Sequence, residues 1–114
     1  PAQRAAVTYA LAQLGKPYVY GAKGPDAFDC SGLTSWAFRQ AGLTIPRDSY
    51  GQLGGGTPVA SLAAAKPGDI LVFNGGGHVG LYIGNGQFIH ASTYGVPVKK
   101  DVVKNWSLVG IRRY

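Results

Sequence analysis

Apolar residues near the start of the chain recur at helical spacing. Ala6, Tyr9, Ala10 and Leu14 form one stripe, and Val7 and Leu11 widen it. This pattern predicts a first helix stopped by Gly15, with Pro17 preventing its resumption. Tyr18 to Tyr20 reads as a short extended piece and residues 21–27 as a turn-rich loop. A second helix is expected from Asp29 or Cys30. It carries Leu33, Trp36, Ala37 and Phe38 inward and ends at Gly42, with Asp29 as its N-cap. Residues 46–60 read as loop, with Gly54, Gly55 and Gly56 in a row and a short turn around Tyr50. Residues 61–65 fit a single helical turn.

The second half changes period. Ile70–Phe73, Val79–Ile83 and Gln87–Ala91 read as short strands, residues 108–113 as a last strand, and residues 96–102 as a weaker one. Helices precede strands and connections are short. That order favours an α+β domain with an antiparallel sheet over a doubly wound fold.

Composition narrows the classes. The chain has 114 residues, a length that predicts one domain over residues 1–114. With 46% apolar and 14% charged residues it is not a disordered segment, and 18 glycines and 7 prolines do not suit a helical bundle. No apolar run is long enough for a membrane span. The net charge of +6 favours an anionic partner, but the positive residues are dispersed apart from Lys99, Lys100, Lys104, Arg112 and Arg113. No single-strand-binding pattern accompanies them, so no nucleic-acid partner is expected and solvated surface is the simpler reading. Gly54–Gly56 and Gly75–Gly77 lack a dinucleotide or phosphate-loop pattern and read as loops. All five acids are Asp, which excludes a paired-Glu site in this chain. The chain opens on Pro1 and holds no Met, and it reads as a segment excised from a longer protein, with no signal peptide in it.

One cysteine, Cys30, excludes an internal disulfide and any paired-cysteine metal or redox motif. Placed at a helix start, its thiolate would be stabilised by unpaired N–H groups and the helix dipole. The competing reading is a small buried hydrophobe. The neighbours Asp29, Ser31 and Gly32 are an odd setting for pure packing. Gly32 in the first turn costs roughly 1 kcal/mol against Ala, which close approach of another group would explain.

The two histidines, His78 and His90, can share one sheet face only in a particular register. A two-residue turn at Asn85-Gly86 would pair residue 84 with 87 and put them on opposite faces. A three-residue loop pairs 83 with 87, sets Gly80 opposite His90 and Tyr82 opposite Phe88, and makes His78 the diagonal neighbour of His90. Diagonal Cβ atoms are roughly 7–8 Å apart, within reach of two imidazoles. Gly80 then leaves space beside the His90 ring, and Val79, Leu81, Ile83, Ile89 and Ala91 form the core face. Cysteine plus histidine is the minimum for thiol nucleophilic catalysis, with a second imidazole as orienter. Three readings stand at this point: a Cys30–His78–His90 constellation, a structural cysteine with two unrelated histidines, and a zinc site. The lack of close ligand spacing makes the last weak.

The chain also resembles the NlpC/P60 cysteine peptidases over nearly its whole length. Gly15-Lys16-Pro17-Tyr18-Val19-Tyr20-Gly21 is similar to the family's G-x-P-Y-x-W-G segment, and Phe28-Asp29-Cys30-Ser31-Gly32 to its F-D-C-S-G nucleophile motif. Ile45-Pro46-Arg47 with Ser49 and Gln52, then Lys66-Pro67-Gly68-Asp69-Ile70, resemble the next two segments. His78-Val79-Gly80-Leu81-Tyr82-Ile83-Gly84 and Phe88-Ile89-His90-Ala91 are similar to its base and third-residue motifs. Tyr20 stands for the usual Trp and Ala22 for a frequent Gly.

The resemblance implies a papain-like α+β fold. N-terminal helices, one bearing the nucleophile, would pack on a C-terminal antiparallel sheet bearing the base. It implies Cys30 as nucleophile, His78 as base, His90 as orienter and Tyr18 in the oxyanion region with the Cys30 N–H. Asp29 and Ser31 would bind an L-Ala α-amino group, and Arg47 fits an anion-facing position. The implied activity is a peptidoglycan endopeptidase cutting the amide between D-γ-glutamate and meso-diaminopimelate or L-lysine, without cofactor or metal. The implied setting is secreted or periplasmic at a bacterial wall, as a monomer whose positive surface could hold anionic wall polymer. Rival readings are an amidase or acyl-transfer enzyme on the same fold, and a non-catalytic wall-peptide-binding module.

Overall fold

The structure, a computed structural model, describes residues 2–114. Helix α1 spans Ala2–Leu11, α2 Cys30–Gln40 and α3 Ser49–Gly54. Strands are β1 Thr57–Pro58, β2 Ile70–Phe73, β3 His78–Gly84, β4 Gln87–His90, β5 Lys99–Val102 and β6 Leu108–Arg113. The strands form one sheet in the order β1-β6-β2-β3-β4-β5, with every neighbouring pair antiparallel. The expected α+β class with an antiparallel sheet is what the chain adopts.

Helix α1 ends earlier than its apolar stripe. Gln13 and Leu14 donate to the carbonyls of Ala10 and Leu11, three residues back, so the last turn tightens, and Gly15 donates to Val98 instead. Ala6 and Ala10 are buried, whereas Tyr9 and Leu14, expected inward, are exposed. Helix α2 begins at Cys30 because the Asp29 carboxylate accepts the Gly32 N–H, and Gly42 (φ +90°) lies just past its end, as the sequence suggests. The expected loop over residues 46–60 instead contains α3 and β1. Asp48 caps α3 through Gly51 N–H, and the buried Gln52 ties it to Thr34 Oγ1 and the Pro46 carbonyl. With Gly51 and Gly54 inside so short a helix, no apolar period announces it. The single turn expected at 61–65 is a 3₁₀ turn over Leu62–Ala64.

Both sheet faces are covered. The helices pack Ala6, Ala10, Leu33, Ala37 and Phe38 against Ile70, Val72, Val79, Leu81 and Ile89. The opposite face buries Leu71, Phe73, Tyr82, Phe88, Val103 and Ile111, with Trp106 against them. The core face expected on β3 and β4 is therefore correct, with Ile83 only partly buried.

The β3–β4 hairpin reaches the expected register by an unexpected route. Tyr82 pairs with Phe88, but Gly84 pairs with Gln87 across a two-residue turn in which Asn85 (φ 56°) and Gly86 (φ 74°) are both left-handed. Positive φ at both positions is the hairpin turn that Asn-Gly favours. A bulge between Tyr82 and Gly84 adds one residue to β3 and restores the shared histidine face. The three-residue loop was the wrong device for the right register. The space expected beside Gly80 is filled: a Cβ there would lie 2.5 Å from Phe88 Cδ2.

One buried carboxylate closes the fold. Asp69 accepts from Gln3 Nε2 of α1, from the Lys66 N–H, and from Arg113 Nε and Nη2 of β6, each at 2.7–2.8 Å. Its own side chain has no exposure. A single ionised group thus satisfies partners from the first helix, the turn before β2 and the last strand.

Candidate active site

Cys30 is the first residue of α2 and lines a cavity of about 540 Å³ together with Tyr18, Asp29, Ser31, Arg47 and Tyr50. The thiol is half-buried, and the backbone N–H groups of Val79, Ser31 and Cys30 itself approach the sulfur. Burial pushes the thiol above its usual value, and those N–H groups pull the other way. The Val79 contact fixes the relation between the two halves of the chain. The sulfur lies at the residue following His78.

The motif around Cys30 folds tightly on itself. Asp29 Oδ1 accepts from Gly32 N–H and Arg47 Nη1, and Oδ2 accepts from Gly21 N–H and Arg47 Nη2. Arg47 Nη1 also donates to Ser31 Oγ and Nη2 to the Gly21 carbonyl. The carboxylate therefore accepts four hydrogen bonds, and it would bind an ammonium only by giving one up. Arg47 bridges the residues on either side of Cys30 to the loop that carries Tyr18. Its side chain is 40% exposed toward solvent. Gly32 meets the close approach its position suggests: a Cβ there would stand 2.1 Å from the Ala22 carbonyl oxygen. The approaching group is the protein's own backbone. Partial burial, and then its nearness to Cys30 and Asp29, raise the Tyr18 phenol above the ordinary value.

His78 and His90 do meet. His78 Nε2 and His90 Nδ1 are 2.8 Å apart, and both residues are buried. Trp106 stacks on His78 at 5.2 Å between ring centroids and meets His90 edge-on at 4.9 Å, while Phe88 lies 4.4 Å from His90. Burial, then the neighbouring His90, lowers His78 from 6.5 to about 4. His90 is lowered by burial too, with Asp101 opposing and Lys99 adding. A neutral imidazole facing a neutral thiol can take the thiol proton as the sulfur attacks an electrophile.

Two residues at this site carry no motif in the sequence. Asp101 Oδ2 is 3.3 Å from His90 Nε2 and accepts from Trp106 Nε1 at 3.1 Å. β4 and β5 pair His90 with Lys99, so Asp101, two residues on, shares the His90 face. The sheet register is the signal that finds it. Residues 91–98 join the two strands irregularly and hide that register from a reading of the chain alone. Among the described residues, no group of three His, Cys, Asp or Glu side chains is placed to hold a metal ion. No helix there is long and apolar enough to cross a membrane.

A thiol at a helix start, set against a strand that opens on one of two paired imidazoles, defines a thiol–imidazole site on an α+β scaffold. This chain belongs to the NlpC/P60 family, whose model matches residues 15–109. It is 51% identical over 96 residues to a Mycobacterium tuberculosis protein named "Probable endopeptidase", covering 83% of this chain and 25% of that one. It superposes on NlpC1 from Trichomonas vaginalis with a TM-score of 0.92 at 37% identity, covering 99% of this chain and 44% of that one. Against the peptidoglycan hydrolase RipB from Mycobacterium tuberculosis the TM-score is 0.87 at 36% identity, covering 98% and 64%. The chain thus spans about a quarter of the length of that mycobacterial relative.

Proposed function

We propose that residues 1–114 form the catalytic domain of a peptidoglycan endopeptidase that hydrolyses the amide between D-γ-glutamate and the diamino acid of a stem peptide. The observation that carries this reading is the His78–His90 pair, 2.8 Å apart, with His78 opening the strand whose Val79 N–H approaches the Cys30 sulfur. The name of the mycobacterial relative supplies the reaction, and that of RipB the substrate class.

In this reading Cys30 is the nucleophile. Because burial raises the thiol and lowers His78 to about 4, the resting pair is neutral, and His78 removes the proton as the sulfur adds to the carbonyl. The Cys30 N–H and the Tyr18 hydroxyl stabilise the oxyanion. His78 then protonates the leaving amine. Water, activated by the same ring, hydrolyses the thioester. His90 orients His78. Ser31 and the exposed edge of Arg47 face the substrate's polar groups; Asp29 holds Arg47, which in turn donates to Ser31. The secreted or wall-associated setting follows from the substrate. The dispersed positive charge suits an anionic polymer.

The test is digestion of purified peptidoglycan of both diamino-acid types, with products read by mass spectrometry and Cys30→Ala as control. New amino termini at the diamino acid, absent from the control, are expected. Release by Cys30→Ala at the parental rate, or none by a folded protein with a reactive thiol, would overturn the proposal.

A further inference from the structure

The carboxylate of Asp101 stands at the end of a chain of donors and acceptors that runs to His78. Its Oδ1 accepts from the Val102 N–H at 2.8 Å and its Oδ2 from the Trp106 indole N–H at 3.1 Å. An indole N–H can only donate, and an ionised carboxylate can only accept. Burial acts to raise this carboxyl, but the Val102 amide, the Trp106 indole and His90 hold it below the usual carboxylate range. His90 Nε2, 3.3 Å from Oδ2, must therefore carry a hydrogen. In neutral His90 the other nitrogen, Nδ1, is then bare and accepts. His78 Nε2, 2.8 Å from it, must donate. In neutral His78 that leaves Nδ1 as the nitrogen with a free lone pair.

We propose that Asp101 is a positioning residue that sets the tautomer of both histidines and so leaves the His78 Nδ1 lone pair free to take the Cys30 proton. This rests on the assignment of Cys30 and His78 given above. When His78 becomes an imidazolium, its Nε2–H still donates to His90 Nδ1, so the same hydrogen bonds serve before and after transfer. No dipole has to turn during the step. The charged or titratable groups facing His90 are His78 from β3 and Lys99 and Asp101 from β5. Lys99 opposes protonation of His90, which keeps that ring an acceptor toward His78. Trp106 gives Asp101 a second, uncharged tie, and it stacks on His78 as well.

The first experiment needs no change at Asp101. Long-range ¹H–¹⁵N correlation of the Cys30→Ala protein at neutral pH reads the tautomers directly. Both histidines are expected to be protonated at Nε2 and bare at Nδ1. His90 protonated at Nδ1 would overturn the proposal. The second uses Asp101→Leu, similar in size and without an acceptor. Its His90 is expected to populate the Nδ1–H form. In the protein that retains Cys30, Asp101→Leu should lower alkylation of the thiol by iodoacetamide about tenfold at pH 7 and shift its pH profile. A folded Asp101→Leu protein with unchanged tautomers and an unchanged alkylation profile would show that Asp101 merely props Trp106. Neither readout requires peptidoglycan cleavage, so loss of the endopeptidase reading and loss of this one remain separable.

Discussion

The site has two walls, one bearing the thiol and one the paired imidazoles, and they are built by different means. The thiol wall is local. Asp29, Cys30, Ser31 and Gly32 are consecutive, and most of the hydrogen bonds that hold them come from Gly32 itself, the nearby Gly21 and Arg47, with Gln52 and Val79 added from farther along the chain. The imidazole wall is assembled from distant pieces: the start of β3, the end of β4, β5 and the turn at Val103–Asn105 that presents Trp106. In the first wall Cys30 and Arg47 are partly exposed, Asp29, Ser31 and Gly32 are buried, and an ion pair holds them. The second is nearly closed and held by aromatic packing. Sequence neighbours suffice to bring a partly exposed thiol beside an ion pair, whereas burying two imidazoles among aromatic rings takes strands from across the chain.

The largest expected effect breaks the thiol wall. In Gly32→Ala the new methyl meets the Ala22 carbonyl at 2.1 Å and the Asp29 carboxylate at 2.7 Å, both fixed. Overpacking against backbone should lower stability by more than about 3 kcal/mol. Denaturant midpoints measure it, and an unchanged midpoint would mean that the Ala22 loop is free to retreat.

Acid tests the imidazole wall. His78 titrates at about 4 in the folded protein against an ordinary 6.5. The unfolded chain binds this proton first as pH falls. The folded state therefore keeps its full margin above 6.5 and loses it progressively down to about 4, by about 3 kcal/mol. Asp69 and Asp101, whose carboxyls are held below the usual range, extend the loss at still lower pH. Urea unfolding at pH 7 and pH 4.5 reads this directly, and equal midpoints would show that His78 is not kept neutral by burial. The same wall should hold in a Gly32→Ala protein that remains folded, which separates the two halves.

The smallest effect concerns the hairpin that sets the histidine register. Tyr82 Oη accepts the Gly86 N–H at 3.0 Å, across the bulge. Tyr82→Phe should cost about 1 kcal/mol and leave the His78–His90 contact intact. A loss above about 3 kcal/mol would mean that the hydroxyl, rather than the aromatic packing, pins the register.

The same contrast explains what the chain discloses before it folds. The thiol wall was legible because its residues are neighbours: a cap, a cysteine and a glycine in one turn. The shared histidine face was legible only as a condition on the turn. It was met by a bulge at Ile83, which no residue type there demands. Asp101 was not legible because its role depends on pairing β5 with β4 across an irregular connection. Helix α3 was missed for another reason. Its stability comes from Asp48 and the buried Gln52, not from an apolar stripe. Leu14 fits the stripe of α1 but lies beyond its end, because period alone does not say where a helix stops, and Tyr9, within the helix, sits exposed and edge-on to Trp36.

Asp69 has a mechanical consequence. Gln3 and Arg113, near opposite ends of the described chain, hold the same buried carboxylate. A pull on the two ends therefore loads these side-chain hydrogen bonds directly.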